Sequence, residues 1–562
     1  MSALVLVVIT MVTLVFAYKT YGSFIARRLG MDDSRKTPAH TMYDGVDYVP
    51  AKAPVLLGHH FASIAGAGPI VGPIFAAVFG WVPVYFWLLI GGVFIGSVHD
   101  LSSIMASIRH RSKSIGEIIE DHIGLNGKRL FLIFSWSAML LVIAVFTRII
   151  ANTFITVPAT ATASLLFIPL AVVFGFAIYR RNLPLGPTSF IGVLLLFGCI
   201  YAGLKFPLTL SFNTWVLILM VYVWVASVTP VWILLQPRDY LNSFLLYALV
   251  AGGVMGIFFA NPPINLAPLT SLKTSIGWMF PVLFVTVACG AISGFHSLVA
   301  SGTTAKQLNK ESDAKIVGYG GMLIEVLLAV IALMAAATLS TERFQEMWSK
   351  GLYVPIFSEG VGSFIAKIPL LNIPHNVAVT FSALAVSAFA LTTLDTCTRL
   401  ARFSFQEFFE IAKGREKSRL SANRFIGTTV TVGFSLLFLL SGKSDAIWPV
   451  FGSANQMLAA LALLAVSVWL AKLKRGNLYT RLPMFFMFAV TLTALSTLVY
   501  QNVGKQNYLL SVIASLLFVV AILLAVLAAR SLTHPSSALA ITSEGMQVMA
   551  GEVEEGREDG KR

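Results

Sequence analysis

The sequence predicts an all-α polytopic membrane protein with about 15 transmembrane helices, some of them discontinuous. Of its 562 residues, 57% are hydrophobic and only 12% are charged, and the mean hydropathy is +0.81. A soluble globular protein carries roughly 25% charged residues, and a soluble core could not bury this much apolar surface. The apolar residues form long runs separated by short polar loops, which is the pattern of membrane-spanning helices.

Fifteen apolar runs are long enough, or nearly so, to cross a bilayer. The first, Leu4–Phe16, lacks a basic leader and a small-residue cleavage site, so we interpret it as a retained helix rather than a signal peptide. The fifth and sixth runs are the shortest, and the sequence leaves open whether both span fully. In order, the runs are 3–26, 55–79, 81–107, 128–152, 161–179, 187–204, 213–235, 240–260, 277–302, 315–339, 376–399, 423–441, 446–471, 482–500 and 508–530.

Basic residues in the loops predict the orientation of the chain. With the N-terminus outside, the inner loops contain Arg109, Arg238 and the dense basic run 399–424, whereas the outer loops contain isolated residues such as Lys205 and Lys273. Because Lys and Arg concentrate in cytoplasmic loops, the C-terminus is predicted to be cytoplasmic. The net charge of +14 is explained by these loops and does not indicate nucleic-acid binding.

The most unusual membrane sequence is Gly58–Pro73, which contains four glycines, two prolines and a His pair. Non-helical backbone at membrane depth is tolerated only where protein or water surrounds it, and in transporters such breaks form substrate and ion sites. Three further runs are interrupted, at Ala226–Trp232, Cys289–Ser297 and Trp448–Gln456. Packing alone also explains glycine and proline in membrane helices, so each single break has that alternative reading.

Ionisable residues recur at one depth near the inner ends of four predicted helices. They predict a proton relay or an inner gate, because histidine changes charge near neutral pH and a nearby carboxylate tunes it. The alternatives are that Asp395 pairs with Arg399 one turn away and that Asp100 faces cytoplasmic water. Glu325 has no evident partner and is either structural or ion-coupled. The predicted coupling and gating residues are His59, His60, Asp100, His296 and Asp395.

Arg148 lies near the outer end of the fourth run, where its guanidinium either attracts a substrate carboxylate or snorkels to the membrane surface. The three cysteines, Cys199, Cys289 and Cys397, fall singly inside apolar runs and predict neither a disulfide nor a metal site. The chain has no GxxxxGK[ST] loop, no HExxH and no GxSxG sequence, so ATP-driven transport and an intramembrane enzyme are not predicted.

Several of these motifs, together and in order, resemble the carbon starvation protein A family. The resemblance implies a bacterial or archaeal inner-membrane carrier linked to peptide or pyruvate uptake under nutrient limitation. The matching segments are Asp44–Pro50, Gly58–Pro73, Gln236–Leu241, Gly294–Ser297, Ser301–Thr304, Thr392–Thr396, Arg399–Arg402 and Phe451–Gln456.

This family is grouped with the amino acid–polyamine–organocation superfamily, which implies a leucine-transporter-like core of two inverted five-helix repeats. In that architecture the interrupted first helices hold the substrate, here at Gly66–Gly68 and Ser227–Pro230, and the third helix of the second repeat can hold a cation. The implied units are 1–54 (first helix and inner loop), 55–204 (first repeat), 213–399 (second repeat), 423–530 (accessory helices) and 531–562 (disordered cytoplasmic tail).

The resemblance and the breaks together imply two groups of binding residues. Half-helix N-termini attract anions, which suits a carboxylate substrate. The substrate-binding candidates are Ser63, Ala65, Gly66, Gly68, Ser227, Thr229 and Arg148. The candidates for a cation site, among which the sequence does not choose, are Ser293, Ser297, Thr303 and Thr304.

We therefore expect a secondary active transporter that imports a small carboxylate or short peptides, driven by H⁺ or, as second choice, by Na⁺. No cofactor or metal is expected, and the predicted partners are a small-molecule substrate and the lipid bilayer. The sequence does not indicate the oligomeric state. The alternative function is a membrane nutrient sensor without net transport.

Overall fold

A computed structural model describes residues 2–45, 47–230, 233–369, 371–410, 423–440 and 447–533, and these are almost entirely helical. The predicted disordered tail lies outside the described residues from position 534 onward, as does Val46 of the motif at 44–50. The first helices are α1 (Ala3–Lys19), α2 (Tyr21–Leu29), α3 (Pro38–Thr41), α4 (Ala53–Ile64), α5 (Gly68–Ala76), α6 (Trp81–Gly91), α7 (Ser97–Arg109) and α8 (Ile115–Ile123).

The middle of the chain contains two of the longest helices and one small hairpin of strands. Its helices are α9 (Leu125–Thr156), α10 (Pro158–Tyr179), α11 (Leu185–Lys205), α12 (Phe212–Val228), α13 (Leu235–Ala260), α14 (Met279–Thr286), α15 (Ala288–Ala291), α16 (Gly294–Gly302), α17 (Gly321–Ala337), α18 (Thr341–Ser349), α19 (Tyr353–Ile365) and α20 (His375–Phe408). The antiparallel strands are β1 (Lys273–Thr274) and β2 (Gly277–Trp278).

The last helices are α21 (Arg424–Leu440), α22 (Ile447–Lys472), α23 (Leu478–Gly504) and α24 (Tyr508–Thr533). Within the described ranges, eleven helices are long and apolar enough to cross a membrane, or twelve if the bent pair α4–α5 is one span. The helices α12 and α21 are shorter apolar helices of 17 residues each, and the predicted ninth run is divided among α14, α15 and α16. The chain is thus a multi-pass helical membrane protein, and fifteen spans stay a prediction.

Two discontinuous helices cross in the interior of the bundle. The pair α4–α5 bends by 47° at Ala65–Ala67, and α14–α16 leaves helical geometry around Val287 and again at Ile292. A Cβ at Gly68 would lie 2.3 Å from the Cys289 sulfur, so the absence of a side chain lets the two segments touch. The predicted break at Gly66–Gly68 is therefore present, and its partner is the α14–α16 segment.

The two longest helices, α9 with 32 residues and α20 with 34, pack along each other and support the crossing segments. At the end of the bundle predicted to be cytoplasmic, α8 is a short helix that Ser114 and Glu117 begin with a reciprocal capping box. At the opposite end, α18 and α19 form a cap, and the Trp348 indole donates a hydrogen bond of 3.2 Å to the Phe75 carbonyl.

One predicted loop is wrong. The sequence places Arg238 in an inner loop between runs 213–235 and 240–260, but α12 ends at Val228 and α13 already begins at Leu235. Pro237 misleads the sequence interpretation, because proline breaks helix interiors but is tolerated in the first turn. Arg238 consequently lies inside a helix and is buried, with an exposed fraction of 3%.

Candidate functional site

The break between α4 and α5 is lined by the two longest helices. Ser63, Ala65, Gly66 and Gly68 are all buried there, as predicted for a site inside the bundle. The Thr393 hydroxyl of α20 donates to the Ser63 carbonyl at 3.3 Å. A Cβ at Gly66 would meet the Thr393 hydroxyl at 2.5 Å and a ring carbon of Phe146, on α9, at 2.8 Å. The backbone groups that the break leaves without helical hydrogen bonds are thus surrounded by protein, as is required at membrane depth.

The start of α16 is bound by an amide side chain from α22. Asn455 accepts a hydrogen bond from the Phe295 backbone N–H at 3.0 Å, and its NH₂ group donates to the Ser293 hydroxyl at 3.1 Å. The first N–H groups of a helix have no intrahelical partner, so Asn455 satisfies one of them. The sequence analysis missed Asn455 as a site residue, although it lies in the interrupted run Trp448–Gln456.

The other predicted substrate residues of the second break are elsewhere. The carbonyls at the end of α12 are bound by two arginines of α20: Arg399 donates to the Thr229 carbonyl, and Arg402 donates to the Ser227 carbonyl at 2.7 Å. The Ser227 hydroxyl is 3.3 Å from that of Thr428 on α21. The structure therefore does not bring Ser227 and Thr229 to Gly66, because α14–α16 and not α12 crosses the α4–α5 break.

Three helices bring together a fully buried triad of Asp100, His296 and Glu325. The His296 Nδ1 atom lies 2.9 Å from an Asp100 oxygen, and its Nε2 atom lies 3.4 Å from a Glu325 oxygen. All three side chains have an exposed fraction of 0%. His99 adds a second contact of 2.7 Å to Asp100. The alternative that Asp100 faces cytoplasmic water is wrong, since neighbouring helices enclose it.

His60 lies beside this triad. Its Nδ1 atom is 2.8 Å from the Thr304 hydroxyl, and the charges of Asp100 and His296 act on its ring. Within the described part of the chain, the His60 Nε2 atom and both Glu325 oxygens have no hydrogen-bond partner. Buried polar atoms are normally paired, and unpaired ones point to strain, catalysis or an unseen ligand. This corner of the bundle therefore combines four ionisable side chains with buried polar atoms that have no partner in the described part of the chain.

A second buried cluster, which we call the arginine cluster, joins α13 to α20 and α4. Arg238 donates through Nη1 to Asp395 and through Nη2 to Asp239 at 3.0 Å, and the Tyr222 hydroxyl donates to Asp395 at 2.6 Å. His59 lies 4.0 Å from Asp239. The alternative pairing of Asp395 with Arg399 is wrong, because the Arg399 guanidinium is occupied by α12 carbonyls.

The predicted inner polar layer is thus two clusters that share α4. His59 faces the arginine cluster and His60 faces the triad, since adjacent residues of a helix point about 100° apart. Sequence analysis missed Tyr222, Arg238 and Asp239. The local signal for them is the adjacent pair of opposite charges after Pro237, Arg238 and Asp239, and the sequence alone places this pair in a loop.

The four candidate cation ligands do not converge on one point. Ser297 and Thr303 donate to the Gly294 and Val299 carbonyls of their own helix, at 2.7 and 2.9 Å. Ser293 contacts Asn455, whereas Thr304 contacts His60. In the described ranges, no group of three or more His, Cys, Asp or Glu side chains is placed to hold a metal ion.

Arg148 is half-buried on α9, toward the end predicted to be extracellular. It shares a helix face with Asn152, four residues on, which lines a small cavity beneath the α18–α19 connection. Tyr353 and Thr156 line the same cavity. Arg148 therefore lies one helical turn from a residue that lines this outer cavity.

Known proteins were compared with this chain by structure and by sequence, and the sequence matches agree with the resemblance. The solved manganese transporter of Eremococcus coleocola aligns with a TM-score of 0.37 and 14% identity, covering 84% of this chain and 95% of that one. A "Peptide transporter CstA" of Helicobacter pylori J99 is 36% identical over 84% of this chain and 79% of its own length. The "Pyruvate/proton symporter BtsT" of Escherichia coli K12 is 33% identical over 84% and 78%. A sequence model of the family described as Carbon starvation protein CstA matches residues 2–354 and 345–494, so the chain belongs to this family.

Proposed function

We propose that this protein is a proton-coupled secondary transporter that imports a small carboxylate such as pyruvate, or short peptides, across the inner membrane during nutrient starvation. The observation that carries the proposal is the buried Asp100–His296–Glu325 triad, three ionisable groups in contact at membrane depth. Such groups are expensive to bury and mark ion pathways. The names of the relatives, a peptide transporter and a pyruvate/proton symporter, support the same function.

The charges of the triad support proton coupling. Within the triad, two carboxylates face the His296 imidazole, and a single imidazolium there balances only one of them; His99, 2.7 Å from Asp100, is a second imidazole beside the triad. A buried uncompensated charge is strongly unfavourable, so the triad becomes neutral when it takes up one further proton. Neither Glu325 oxygen has a hydrogen-bond partner within the described residues, and one lies 3.4 Å from His296 Nε2, so we propose that Glu325 carries that proton.

The packing supports two structural repeats with boundaries that differ from those expected. We propose that the first repeat contains α4–α5, α6–α7, α9, α12 and α13, and that the second contains α14–α16, α17, α20, α21 and α22. The hairpin α10–α11 is then an insertion. In support, α13 packs on α4, α19 and α20, and correspondingly α22 packs on α16, α8 and α9. The short helices α8 and α19 precede α9 and α20 in matching positions.

We propose that the substrate binds at the α4–α5 break, beside Ser63, Gly66 and Thr393. The site is closely packed, since a Cβ at Gly66 would collide with Thr393, and this favours a small carboxylate over a peptide. Arg148, with Asn152 one turn further out, would attract the carboxylate at the outer side. Because α4 contacts both the triad and the arginine cluster, movement of this short helix would then connect substrate binding to opening at the inner side.

The test is uptake by the purified full-length protein reconstituted in liposomes. An inward pH gradient is expected to drive accumulation of labelled pyruvate above that of protein-free liposomes, and a protonophore should abolish it. Labelled di- and tripeptides are measured in parallel, and an imposed Na⁺ gradient at equal pH tests the second coupling ion. Uptake of neither substrate class under either gradient would refute transport. Ligand-induced thermal stabilisation in that case would favour the nutrient sensor.

A further inference from the structure

A basic cavity of about 350 Å³ lies where α2 meets the connection between α22 and α23. Its lining residues are Arg27, Arg28, Gly30, Arg475 and Gly476. Three of these five carry a guanidinium, and none carries a carboxylate. The cavity is remote from the triad and from the arginine cluster, at the end of the bundle where basic residues predict the cytoplasm. Its charge therefore selects for an anion.

The position of Arg475 is fixed by backbone contacts. Its Nη1 atom donates to the Leu29 carbonyl at 2.9 Å, at the end of α2. Gly30 has φ +66°, and a Cβ there would come within 2.7 Å of Arg475 Nη1, so glycine lets the guanidinium lie across the helix end. The nearby carboxylate of Glu311 is already bound to Arg109 at 2.9 Å. The positive charge of the cavity is thus not neutralised by Glu311.

A hydrogen-bond donor adjoins these arginines. The Tyr479 hydroxyl, at the start of α23, is buried and has no partner within the described residues. Tyr479 is three residues beyond Gly476, which lines the cavity together with Arg475. A buried hydroxyl is normally hydrogen-bonded, so an unpaired one this close in sequence to the basic lining supports an oxygen-rich ligand.

Exposed apolar side chains lie on or next to the two helices that adjoin the cavity, and we call them its rim. On α23, Leu478, Leu482 and Phe485 are all more than half exposed. Near α2, Tyr21 contacts the ring of Phe94, which is also exposed. Exposed large apolar side chains on a membrane helix face lipid tails. An anion that has hydrocarbon chains fits both the basic floor and this rim, whereas a soluble anion uses only the floor.

We propose that this cavity binds the phosphate headgroup of an anionic phospholipid of the inner leaflet, with the acyl chains along α23. Arginine binds phosphate oxygens in a bidentate way, and basic pockets between membrane helices bind anionic headgroups. The proposal concerns a lipid site and does not depend on transport, so its test is independent of the test of the proposed function.

The test measures thermal unfolding of the full-length protein in detergent during titration with phosphatidylglycerol or phosphatidylcholine. A ligand that binds only the folded state raises the melting temperature, so phosphatidylglycerol should stabilise the protein more than phosphatidylcholine does. In the double variant Arg27→Gln/Arg28→Gln, we expect an apparent affinity about thirty-fold weaker, or ~2 kcal/mol for two basic residues. Arg481→Gln, which removes a nearby exposed charge outside the cavity, should behave as the wild type.

Equal stabilisation by the two lipids, or an unchanged response of the double variant, would overturn the proposal. If inorganic phosphate raises the melting temperature as much as phosphatidylglycerol does at equal concentration, the ligand of the cavity is a soluble anion and the lipid proposal is wrong. If the double variant does not fold, Tyr479→Phe provides the second measurement. It removes only the hydroxyl and should weaken phosphatidylglycerol binding about five-fold, in the range of one hydrogen bond. Unchanged binding in Tyr479→Phe would also count against the site.

Discussion

Replacing Glu325 by glutamine tests the proposed proton carrier directly. The change keeps the shape of the side chain but removes its titratable oxygen, 3.4 Å from His296 Nε2. With glutamine at this position, the triad keeps a single carboxylate, Asp100, facing the His296 imidazole. The triad then has no reason to bind and release a further proton, so we expect substrate movement to continue without proton coupling.

The magnitude follows from the charge count of the triad, which gives one proton per transport cycle. One pH unit corresponds to ~1.4 kcal/mol per proton, so a gradient of two units supplies roughly 2.7 kcal/mol. For one proton moving with one monovalent carboxylate, this supports about 100-fold accumulation. In Glu325→Gln we expect the accumulation ratio to fall to about one, while exchange of labelled for unlabelled substrate stays within about two-fold of the wild type.

The assay is uptake of labelled pyruvate into proteoliposomes after a pH jump, with the signal of protein-free liposomes subtracted. Counterflow at equal pH on both sides reports binding and conformational change without coupling. Glu359→Gln on α19 is the matched control, because that carboxylate pairs with Arg343 at the outer end and lies outside the triad. Wild-type accumulation by the Glu325 variant would refute the assignment, as would equal loss of uptake and counterflow.

Three further outcomes follow from the structure. Gly68→Ala places a Cβ 2.3 Å from the Cys289 sulfur, and it should destabilise the protein by about 1–3 kcal/mol in thermal unfolding, with partial recovery by Cys289→Gly. Arg238→Gln should cost about 3–5 kcal/mol because it removes the cationic partner of Asp395, which keeps only the hydrogen bond from Tyr222, and adding Asp395→Asn should recover part of this. Burial, with the neighbouring imidazole of His110, lowers the pKa of His122 to about 3, so below pH 6.5 the unfolded chain binds more protons than the folded one. The free energy of unfolding should therefore fall as the pH decreases from 6.5. His122→Asn should flatten this slope in unfolding measured from pH 7 to 5.

The helices and the first break were predictable because their signals are local. Long apolar runs coincide with helices, and glycines and prolines between Gly58 and Pro73 coincide with the bend at Ala65–Ala67. The partner of that break was not predictable. Both Ser227–Pro230 and Cys289–Ser297 contain small and polar residues, and only the packing of Gly68 on Cys289 shows which segment crosses α4–α5.

The two clusters were only partly predictable for a related reason. Depth along each helix placed His60, Asp100 and His296 in one layer, since a constant rise per residue makes depth a local property. Which side chains meet within the layer depends on helix rotation and on contacts far apart in sequence. Arg238 and Asp395 are separated by 157 positions, and no local pattern links them. The adjacent residues His59 and His60 face different clusters for the same rotational reason.

Helix α4 contacts the three features that we propose for transport: the triad, the arginine cluster and the substrate site. This helix of twelve residues ends at the break, so helical hydrogen bonding does not continue from it into α5. Its His60 faces the proton-binding triad, its His59 faces the arginine cluster, and its last residues form the proposed substrate site. A change in charge at the triad or a ligand at the break therefore acts on the same short rigid body. The coupling that we propose therefore needs no long pathway, because a proton at the triad and a substrate at the break would both act on one helix.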